Sequence, residues 1–244
     1  MGGRRGAARE ISDPLNYMKT QSSKNILGQG LCLPILCALL AMAGNSVAQA
    51  DDSAKADPNF QRLIDGNKRY VAGASSHPNQ TPARRAELAK GQAPFAIVLT
   101  CSDSRVSPEL IFDQGLGDLF VVRVAGNTLD NASLGSIEYA AEHLKAPLVV
   151  VLGHSKCGAV TAAAGGGHAP GHIHTLVKAI APAIQAAKGQ PGDAIDNAAR
   201  ASVKATVQQL QHAEPIVGEL VKAGKLKVVG ARYDLETGSV ELLP

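Results

Sequence analysis

Three short runs of apolar residues constrain the fold more than any other feature of this 244-residue chain. They lie at Phe95–Thr100, Leu119–Arg123 and Pro147–Leu152. Apolar side chains fill consecutive positions in each run, which is typical of strands that are buried on both faces. Between the second and third runs, Ser133–Lys145 carries an apolar stripe at helical spacing. The alternation predicts an α/β fold with a central, mostly parallel β-sheet flanked by helices.

Helical periodicity covers most of the remaining chain. Predicted helices run from Pro58 to Tyr70 and over Arg84–Lys90, His174–Lys188 and Asp193–Val221. The chain then ends in a predicted sheet strand, Leu226–Gly230, and a hairpin of Ala231–Leu235 and Ser239–Leu242 around a turn at residues 236–238. No internal repeat or linker divides residues 51–244, so we predict one domain there.

The first 50 residues have the features of a secretory signal peptide. Lys19 and Lys24 precede an apolar run, Ile26–Ala43, and a small-x-small end follows at residues 48–50. An uncleaved membrane anchor is the alternative, but two glycines and a proline interrupt a run that needs about 20 apolar residues to span a bilayer. Met18 begins a signal peptide of ordinary length, so we interpret residues 1–17 as an upstream extension. We expect export to a bacterial-type periplasm, with secretion as the alternative.

Removal of the signal peptide changes the charge of the chain. Residues 1–50 hold five basic and two acidic residues, which leaves 19 of each sign from the chain's 24 basic and 21 acidic residues. A formally neutral chain has no basic field to attract nucleic acid or anionic lipid. We therefore expect no nucleic-acid partner, and no membrane association after signal cleavage.

Only two cysteines, Cys101 and Cys157, remain after residue 50. Two cysteines in an exported protein form a disulfide by default. Their context favours a metal site instead, because each follows a predicted strand and His154 stands three residues before Cys157. The carboxyl ends of parallel strands meet at one edge of a sheet, where sites collect. Cys157 also falls near a predicted helix N-terminus, which favours a thiolate.

A set of two cysteines and one histidine is the catalytic type of zinc site. It supplies three ligands and leaves the fourth tetrahedral position open, whereas a structural site supplies four. Asp103 and Arg105 follow Cys101 closely. They are either a surface ion pair, worth about 0–1 kcal/mol, or a pair in which Arg105 holds the Asp103 carboxylate beside the open position. Asp103 is then either a partner of zinc-bound water or the fourth ligand of a closed state.

The chain resembles the β-class carbonic anhydrases over essentially all of residues 51–244. The resemblance rests on Cys-Ser-Asp-Ser-Arg at 101–105, Phe-Val-Val-Arg-Val-Ala-Gly-Asn at 120–127, Ile-Glu-Tyr-Ala at 137–140 and Gly-His-x-x-Cys-Gly at 153–158. It implies one Zn²⁺ per subunit on Cys101, His154 and Cys157, with Asp103 and Arg105 beside it. It also implies reversible hydration of CO₂ to bicarbonate and a proton, by attack of zinc-bound hydroxide.

The same resemblance implies a substrate pocket and an oligomer. Gln92, Phe120, Tyr139 and Gly158 match substrate-binding residues of the family, and Gln92 matches one that reaches the neighbouring subunit. Family members are dimers or dimers of dimers with an N-terminal helical arm, which here matches the helices between residues 58 and 90. Some members close when bicarbonate binds a pocket with a Trp and an Arg. Arg123 matches that Arg, but the chain has no Trp, so we expect it to lack this regulation.

Two rivals to CO₂ hydration stay open at the level of the sequence. One is hydrolysis of COS or CS₂ on the same scaffold, and the other is a non-catalytic zinc-binding module. A cluster of His168, His172 and His174 is either a solvated Gly-rich loop or a second metal site or proton relay.

Overall fold

The computed structural model describes residues 57–166 and 169–244. The predicted signal peptide lies outside these residues, and so does His168. Within the described ranges the helices are α1 Pro58–Val71, α2 Pro82–Leu88, α3 Pro108–Ile111, α4 Asn131–Glu142, α5 Gly158–Ala164, α6 Ile173–Ala187, α7 Ala194–Gln211 and α8 Val217–Lys222. The strands are β1 Ala96–Thr100, β2 Leu119–Arg123, β3 Leu148–His154, β4 Lys227–Tyr233 and β5 Val240–Leu243. A short 3₁₀ turn, Ala125–Asn127, follows β2.

The five strands form one sheet in the order β2-β1-β3-β4-β5. Neighbouring strands are parallel except for β4 and β5, which are antiparallel. Every residue of β1 and β3 is buried, because helices cover both faces of the sheet. The predicted α/β fold is therefore confirmed.

The register brings two strand ends to the same edge of the sheet. Thr100, the last residue of β1, pairs with Arg123 on one side and Leu152 on the other. β3 continues for two more residues, to His154, which pairs with Tyr233 of β4. The segment after β1 and the segment after β3 are thus neighbours in space.

Alternate side chains of the strands pack into separate cores on the two faces. Ile97 and Leu99 lie in a core that α4, α7 and α8 cover, whereas Ala96 and Val98 face α1 and α3. Burial of a side chain the size of Ile97 or Leu99 contributes about 1.5–3 kcal/mol. These cores hold the strand ends, and therefore the site, in place.

Capping residues set several helix starts. Asp57 accepts hydrogen bonds from the amides of Asn59 and Phe60 at the start of α1. Asp130 and Ser133 bond reciprocally at the start of α4, which satisfies amides that have no partner within the helix.

Two predictions about the C-terminal part were wrong. The predicted helix Asp193–Val221 is two helices, because residues 212–216 are not helical and contain Pro215, whose ring excludes the preceding residue from helical geometry. The predicted hairpin is confirmed by the antiparallel pairing of β4 with β5, but the break predicted before Ala231 is absent, because Lys227–Tyr233 is one continuous strand. Helix α3 and the 3₁₀ turn were not predicted.

Within residues 57–166 and 169–244, no helix has the length and apolar character needed to cross a bilayer.

Candidate metal centre

Cys101 is the first residue after β1, and its side chain is buried at 4% exposure. Its Sγ accepts hydrogen bonds from the amide of Gly126, at 3.2 Å, and from the amide of Asp103, at 3.4 Å. Gly126 has a φ of 71°, and a Cβ there would lie 2.7 Å from Ile180 Cδ1. Only glycine therefore fits where this amide meets the sulfur.

His154 is the last residue of β3 and is fully buried, whereas the sequence placed it just after the strand. Its Nδ1 lies 2.9 Å from the backbone oxygen of Ser155. When Nδ1 carries the ring proton and donates it to this carbonyl, Nε2 is unprotonated and has a lone pair that can bind a metal. Within the described residues Nε2 is buried without a hydrogen-bond partner, which is unusual for a polar atom unless a ligand satisfies it.

The turn from His154 to Cys157 is tied to the hairpin between β4 and β5. The amide of Ser155 donates to Tyr233 O, and Ser155 Oγ accepts from the amide of Leu235, both at 2.9 Å. Lys156 follows in the left-handed region, at a φ of 54°, and its Nζ contacts Glu236. Cys157 then occupies the N-cap position of α5, where its side chain makes no capping hydrogen bond.

The ligand atoms of Cys101, His154 and Cys157 all lie within 4.8 Å of one another, and the three residues are buried. Both cysteines are free thiols, so the interpretation against a disulfide is confirmed. Two sulfurs and one imidazole nitrogen are the donor set that zinc prefers. The unpartnered Nε2 faces this set, and the residues therefore fit a zinc ion. No other such group of ligand side chains occurs in the described part of the chain.

The two thiols have different pKa values in the metal-free protein. The Cys157 thiol lowers the pKa of Cys101 to about 4, and the nearby His154 ring and the amides of Gly126 and Asp103 act in the same direction against burial. Cys101 is therefore the thiolate of the pair.

The pKa of Cys157 is raised above its ordinary value, mainly by its contact with Cys101 and further by burial. The amides of Val160 and Ala159 at the start of α5 lower it, but by less. The helix N-terminus thus acts in the predicted direction, and the charge on Cys101 outweighs it. In the metal-free protein Cys157 keeps its proton.

Asp103 and Arg105 form a bidentate pair beside the three ligands. Arg105 Nε and Nη2 donate to the two carboxylate oxygens of Asp103 at 2.9 and 2.7 Å, and the Arg105 amide donates to Oδ1 at 3.0 Å. Asp103 Oδ2 lies 3.9 Å from His154 Nε2. The Arg105 guanidinium holds the pKa of Asp103 well below its usual range, so this carboxylate is ionised at neutral pH.

Comparison with known proteins places this site in a family. The family model for carbonic anhydrase matches residues 96–240, more than half of the chain. The chain is 46% identical to a carbonic anhydrase of Mycolicibacterium smegmatis over 187 residues, which cover 75% of this chain and 91% of the relative. It is 43% identical to carbonic anhydrase 2 of Mycobacterium tuberculosis, with 75% and 90% covered. Crystal structures of two tetrameric β-carbonic anhydrases from Sordaria macrospora are also similar, at 28% identity and a TM-score of 0.61, with 77% of this chain and 98% of the other covered.

The chain belongs to the β-carbonic anhydrase family. β-Carbonic anhydrases are zinc-dependent, which agrees with the buried Cys₂His set.

The predicted substrate residues of this β-carbonic anhydrase lie on different elements of the fold. Gly158, the first residue of α5, is exposed and adjoins Cys157. Phe120 and Tyr139 form a tilted ring pair with centroids 6.3 Å apart. Gln92 is exposed in the segment before β1. Within the described part of one chain, no hydrogen bond joins Gln92, Phe120 or Tyr139 to the ligand cluster.

Two contacts at this site were missed from the sequence. One is the Gly126 amide on Cys101 Sγ, which the glycine of Val-Ala-Gly-Asn could have signalled. The other is Arg123, whose side chain donates to the backbone oxygens of Cys101 and Asp103 at 3.2 and 2.7 Å. The position of Arg123 at the end of β2, beside the end of β1, could have suggested it.

The histidine cluster forms no metal group with its described members. His172 precedes α6 and is exposed, and His174 lies in the first turn of α6, in a groove against α5. His168 lies outside the described residues. His143, which the sequence left without a role, lies against Tyr139 with ring centroids 5.3 Å apart.

Proposed function

We propose that this β-carbonic anhydrase catalyses the reversible hydration of CO₂ to bicarbonate and a proton, with one Zn²⁺ per chain on Cys101, His154 and Cys157. The observation that carries this proposal is the buried convergence of three donor atoms within 4.8 Å beside a carboxylate paired with an arginine. Three protein ligands leave one position of a tetrahedral zinc open to a reactant.

Zinc, when bound, lowers the pKa of a coordinated water from 15.7 toward about 7 and so supplies a nucleophile near neutral pH. The ligands of this chain are expected to raise the pKa of the bound water, because negative charge on the ligands disfavours a further negative charge on hydroxide. Cys101 and Cys157 bring two negative charges to the site, where imidazole ligands bring none. We therefore expect the hydration rate to rise toward alkaline pH.

The carboxylate of Asp103 accepts a hydrogen bond from the attacking water. An ionised carboxylate only accepts hydrogen bonds and has two lone pairs on each oxygen, so the bonds from Arg105 leave acceptor capacity on Oδ2. Because Arg105 occupies both oxygens, it keeps the carboxylate oriented and off the ligand position. This geometry supports a site open to water over one that Asp103 closes.

The substrate pocket is proposed to combine residues of two subunits. The amide of Gly158 is placed to donate to an oxygen of bicarbonate, since it adjoins the ligand Cys157. Phe120 and Tyr139 supply an aromatic wall, and Gln92 extends into the pocket of the neighbouring subunit. The lack of contact between Gln92 and the ligands within one chain supports this division.

We propose that the enzyme is a homodimer or a dimer of dimers, with α1 and α2 as the arm that embraces the partner. The tetrameric assembly of the similar enzymes from Sordaria macrospora supports an oligomer. Analytical ultracentrifugation should give the mass of two or four chains, and a monomer at micromolar concentration would contradict the proposal.

We propose that residues 1–50 are a signal peptide and that residues 51–244 act as one catalytic domain in the periplasm. The basic start, apolar middle and small-residue end of this segment support the assignment. N-terminal sequencing of the exported protein should begin at Asp51. Recovery of the full-length chain from the membrane would favour an uncleaved anchor instead.

The rivals are a hydrolase of COS or CS₂ and a non-catalytic zinc module, and the relatives, which are carbonic anhydrases, support neither. Stopped-flow measurement of CO₂ hydration from pH 6 to 9, with COS turnover side by side and zinc and thiol counts on the same sample, separates the three. CO₂ hydration that exceeds COS turnover and rises with pH is expected. A zinc-loaded protein without CO₂ turnover at any pH would contradict the proposed function.

A further inference from the structure

We propose that Arg123 is a positioning residue of this reaction, one that fixes the backbone from Cys101 to Asp103 and thereby the place of the Asp103 carboxylate. The inference rests on the proposed function, because it assigns Arg123 to the same site. It goes beyond the ligands and the Asp103–Arg105 pair.

Two hydrogen bonds from one guanidinium carry the proposal. Arg123 Nη2 donates to Asp103 O at 2.7 Å, and Arg123 Nε donates to Cys101 O at 3.2 Å. A guanidinium is planar and presents its N–H donors in a rigid fork. The two carbonyls are therefore held at a fixed separation. One belongs to the metal ligand Cys101, and the other belongs to Asp103, the proposed hydrogen-bond acceptor.

The segment from Cys101 to Asp103 lies in a loop and has few other fixed contacts. Asp103 O also accepts from the Val106 amide at 3.0 Å, and the Asp103 amide donates to Cys101 Sγ at 3.4 Å. Both of these bonds are made within the loop itself. From outside the loop, the Gly126 amide holds only the Cys101 sulfur, whereas Arg123 bonds the backbone carbonyls at both ends of the segment.

Arg105 and Arg123 act on different parts of Asp103. Arg105 stands on the same loop, two residues after Asp103, and its bond to Lys156 O outside the loop is long, at 3.4 Å, so Arg105 mainly sets the orientation of the carboxylate. Arg123 ends β2, where it pairs with Thr100 in the sheet, and the next residue, Val124, donates to Thr100 O at 3.0 Å. The sheet therefore serves as the fixed reference for the backbone of Asp103.

Replacement of Arg123 should displace the reacting groups without removing any of them. A misplacement of about 1 Å can reduce a rate by about a hundredfold. We expect Arg123→Ala to lower kcat/KM for CO₂ hydration about ten- to hundredfold at an unaltered zinc content. Arg123→Lys should recover only a small part of this loss, because an ammonium group keeps the charge but lacks the fork that spans two carbonyls.

A matched control is Arg200→Ala. Arg200 Nε donates to Asp196 at 2.8 Å, and its Nη2 donates to Glu241. The substitution removes a half-buried arginine that makes two hydrogen bonds, neither of them to the ligand loop or to the proposed arm. We expect its activity to match that of the wild type.

Two further measurements separate positioning from general stability. In Co²⁺-substituted protein, the visible absorption spectrum reports the geometry around the ion, and Arg123→Ala should change it while Arg200→Ala should not. In a double-mutant cycle, Arg123→Ala should cost little further activity once Asp103→Ala is present, since it acts through Asp103.

Three outcomes would overturn the proposal: full activity in Arg123→Lys, additive losses in the cycle, or a Co²⁺ spectrum of Arg123→Ala that matches the wild type. If Arg123→Ala does not fold, Arg123→Gln takes its place in each comparison. A wild-type protein that hydrates no CO₂ would contradict the proposed function instead, and the Co²⁺ spectra would still test Arg123.

Discussion

At the scale of single residues, the site combines a partly ionised thiol pair with a carboxylate that cannot be protonated near neutral pH. Cys101 carries the charge of the pair, and Cys157 keeps the proton. Arg105 lowers the pKa of Asp103, so Asp103 is an acceptor throughout the range in which a carbonic anhydrase works. The change in activity between pH 6 and 9 therefore cannot come from Asp103.

Replacement of Asp103 by alanine should reduce CO₂ hydration about a hundredfold or more, because loss of one preorganised hydrogen bond to a reacting group costs about 10²- to 10³-fold in turnover. Stopped-flow hydration at a measured zinc content tests this. Asp65→Ala is a control, since Asp65 pairs with Lys68 on an exposed helix face. Near-normal turnover by Asp103→Ala would rule out the role assigned to this residue.

Zinc uptake at pH 7 should release about one proton per ion. Metal ligands bind in their deprotonated forms, and Cys101 is already a thiolate whereas Cys157, with its raised pKa, is not. Zinc affinity should therefore increase with pH. Titration of metal-free protein with zinc in a weakly buffered indicator solution measures the release. A value near two that persists at pH 6, where zinc-bound water keeps its proton, would mean that Cys101 is also protonated.

At the scale of elements, the hairpin between β4 and β5 supports the turn that carries two of the three ligands. Ser155 receives the Leu235 amide on its Oγ and donates its own amide to Tyr233 O. The hairpin is held in turn by Asn67 of α1, which donates to Gly238 O at 2.8 Å and accepts from the Val240 amide at 2.9 Å. The ligand turn is therefore linked through the hairpin to the N-terminal helix.

Ser155→Ala should accelerate zinc loss about tenfold, since partners that orient metal ligands typically contribute about 10- to 100-fold to affinity. The substitution leaves the Leu235 amide without its acceptor. Transfer of zinc to a colorimetric chelator measures the rate. Ser136→Ala serves as the control, because Ser136 Oγ bonds only within α4, and equal rates for the two variants would contradict a role for the hairpin.

At the scale of the whole molecule, two carboxylates with lowered pKa values make the stability of the fold depend on pH. Burial raises the pKa of Asp113, but the Ser76 amide, Arg69, the His77 amide and the Ser76 hydroxyl lower it by more, so it lies below its usual range. The pKa of Asp234, in the β4–β5 turn, is lowered to about 2, mainly by the Thr237 amide. A carboxyl with a lower pKa in the folded than in the unfolded chain adds stability above the unfolded value of about 3.9 and loses it as pH falls.

The free energy of unfolding of the metal-free protein should therefore fall as pH decreases from about 4 to 2. Asp113→Asn should lower the free energy of unfolding by about 1.5–3 kcal/mol at pH 7, the usual range for hydrogen bonds to a charged group, and should flatten its fall below pH 4. Urea unfolding at pH 7, 4 and 3 tests both. If the free energy of unfolding of Asp113→Asn fell with acid as steeply as that of the wild type, Asp113 would not be the source of the acid sensitivity.

The sequence predicted the parts of the molecule that rest on local patterns. Continuous apolar runs indicated β1, β2 and β3, and the strand ends indicated that Cys101 and His154 meet. Contacts between distant segments were not predictable in this way. The bonds from Arg123 and Gly126 depend on the parallel pairing of β2 with β1. The break between α7 and α8 depends on whether Pro215 interrupts a segment in which the residues on both sides favour a helix.

The most direct test of the account is the dependence of CO₂ hydration on zinc. Metal-stripped protein should be inactive, and stopped-flow turnover should rise in proportion to added zinc until one ion is bound per chain. Cys101→Ser should fail to reach this turnover at the same zinc addition. Hydration that survives complete removal of the metal, or that stays absent at one zinc per chain, would contradict a zinc-dependent carbonic anhydrase centred on Cys101, His154 and Cys157.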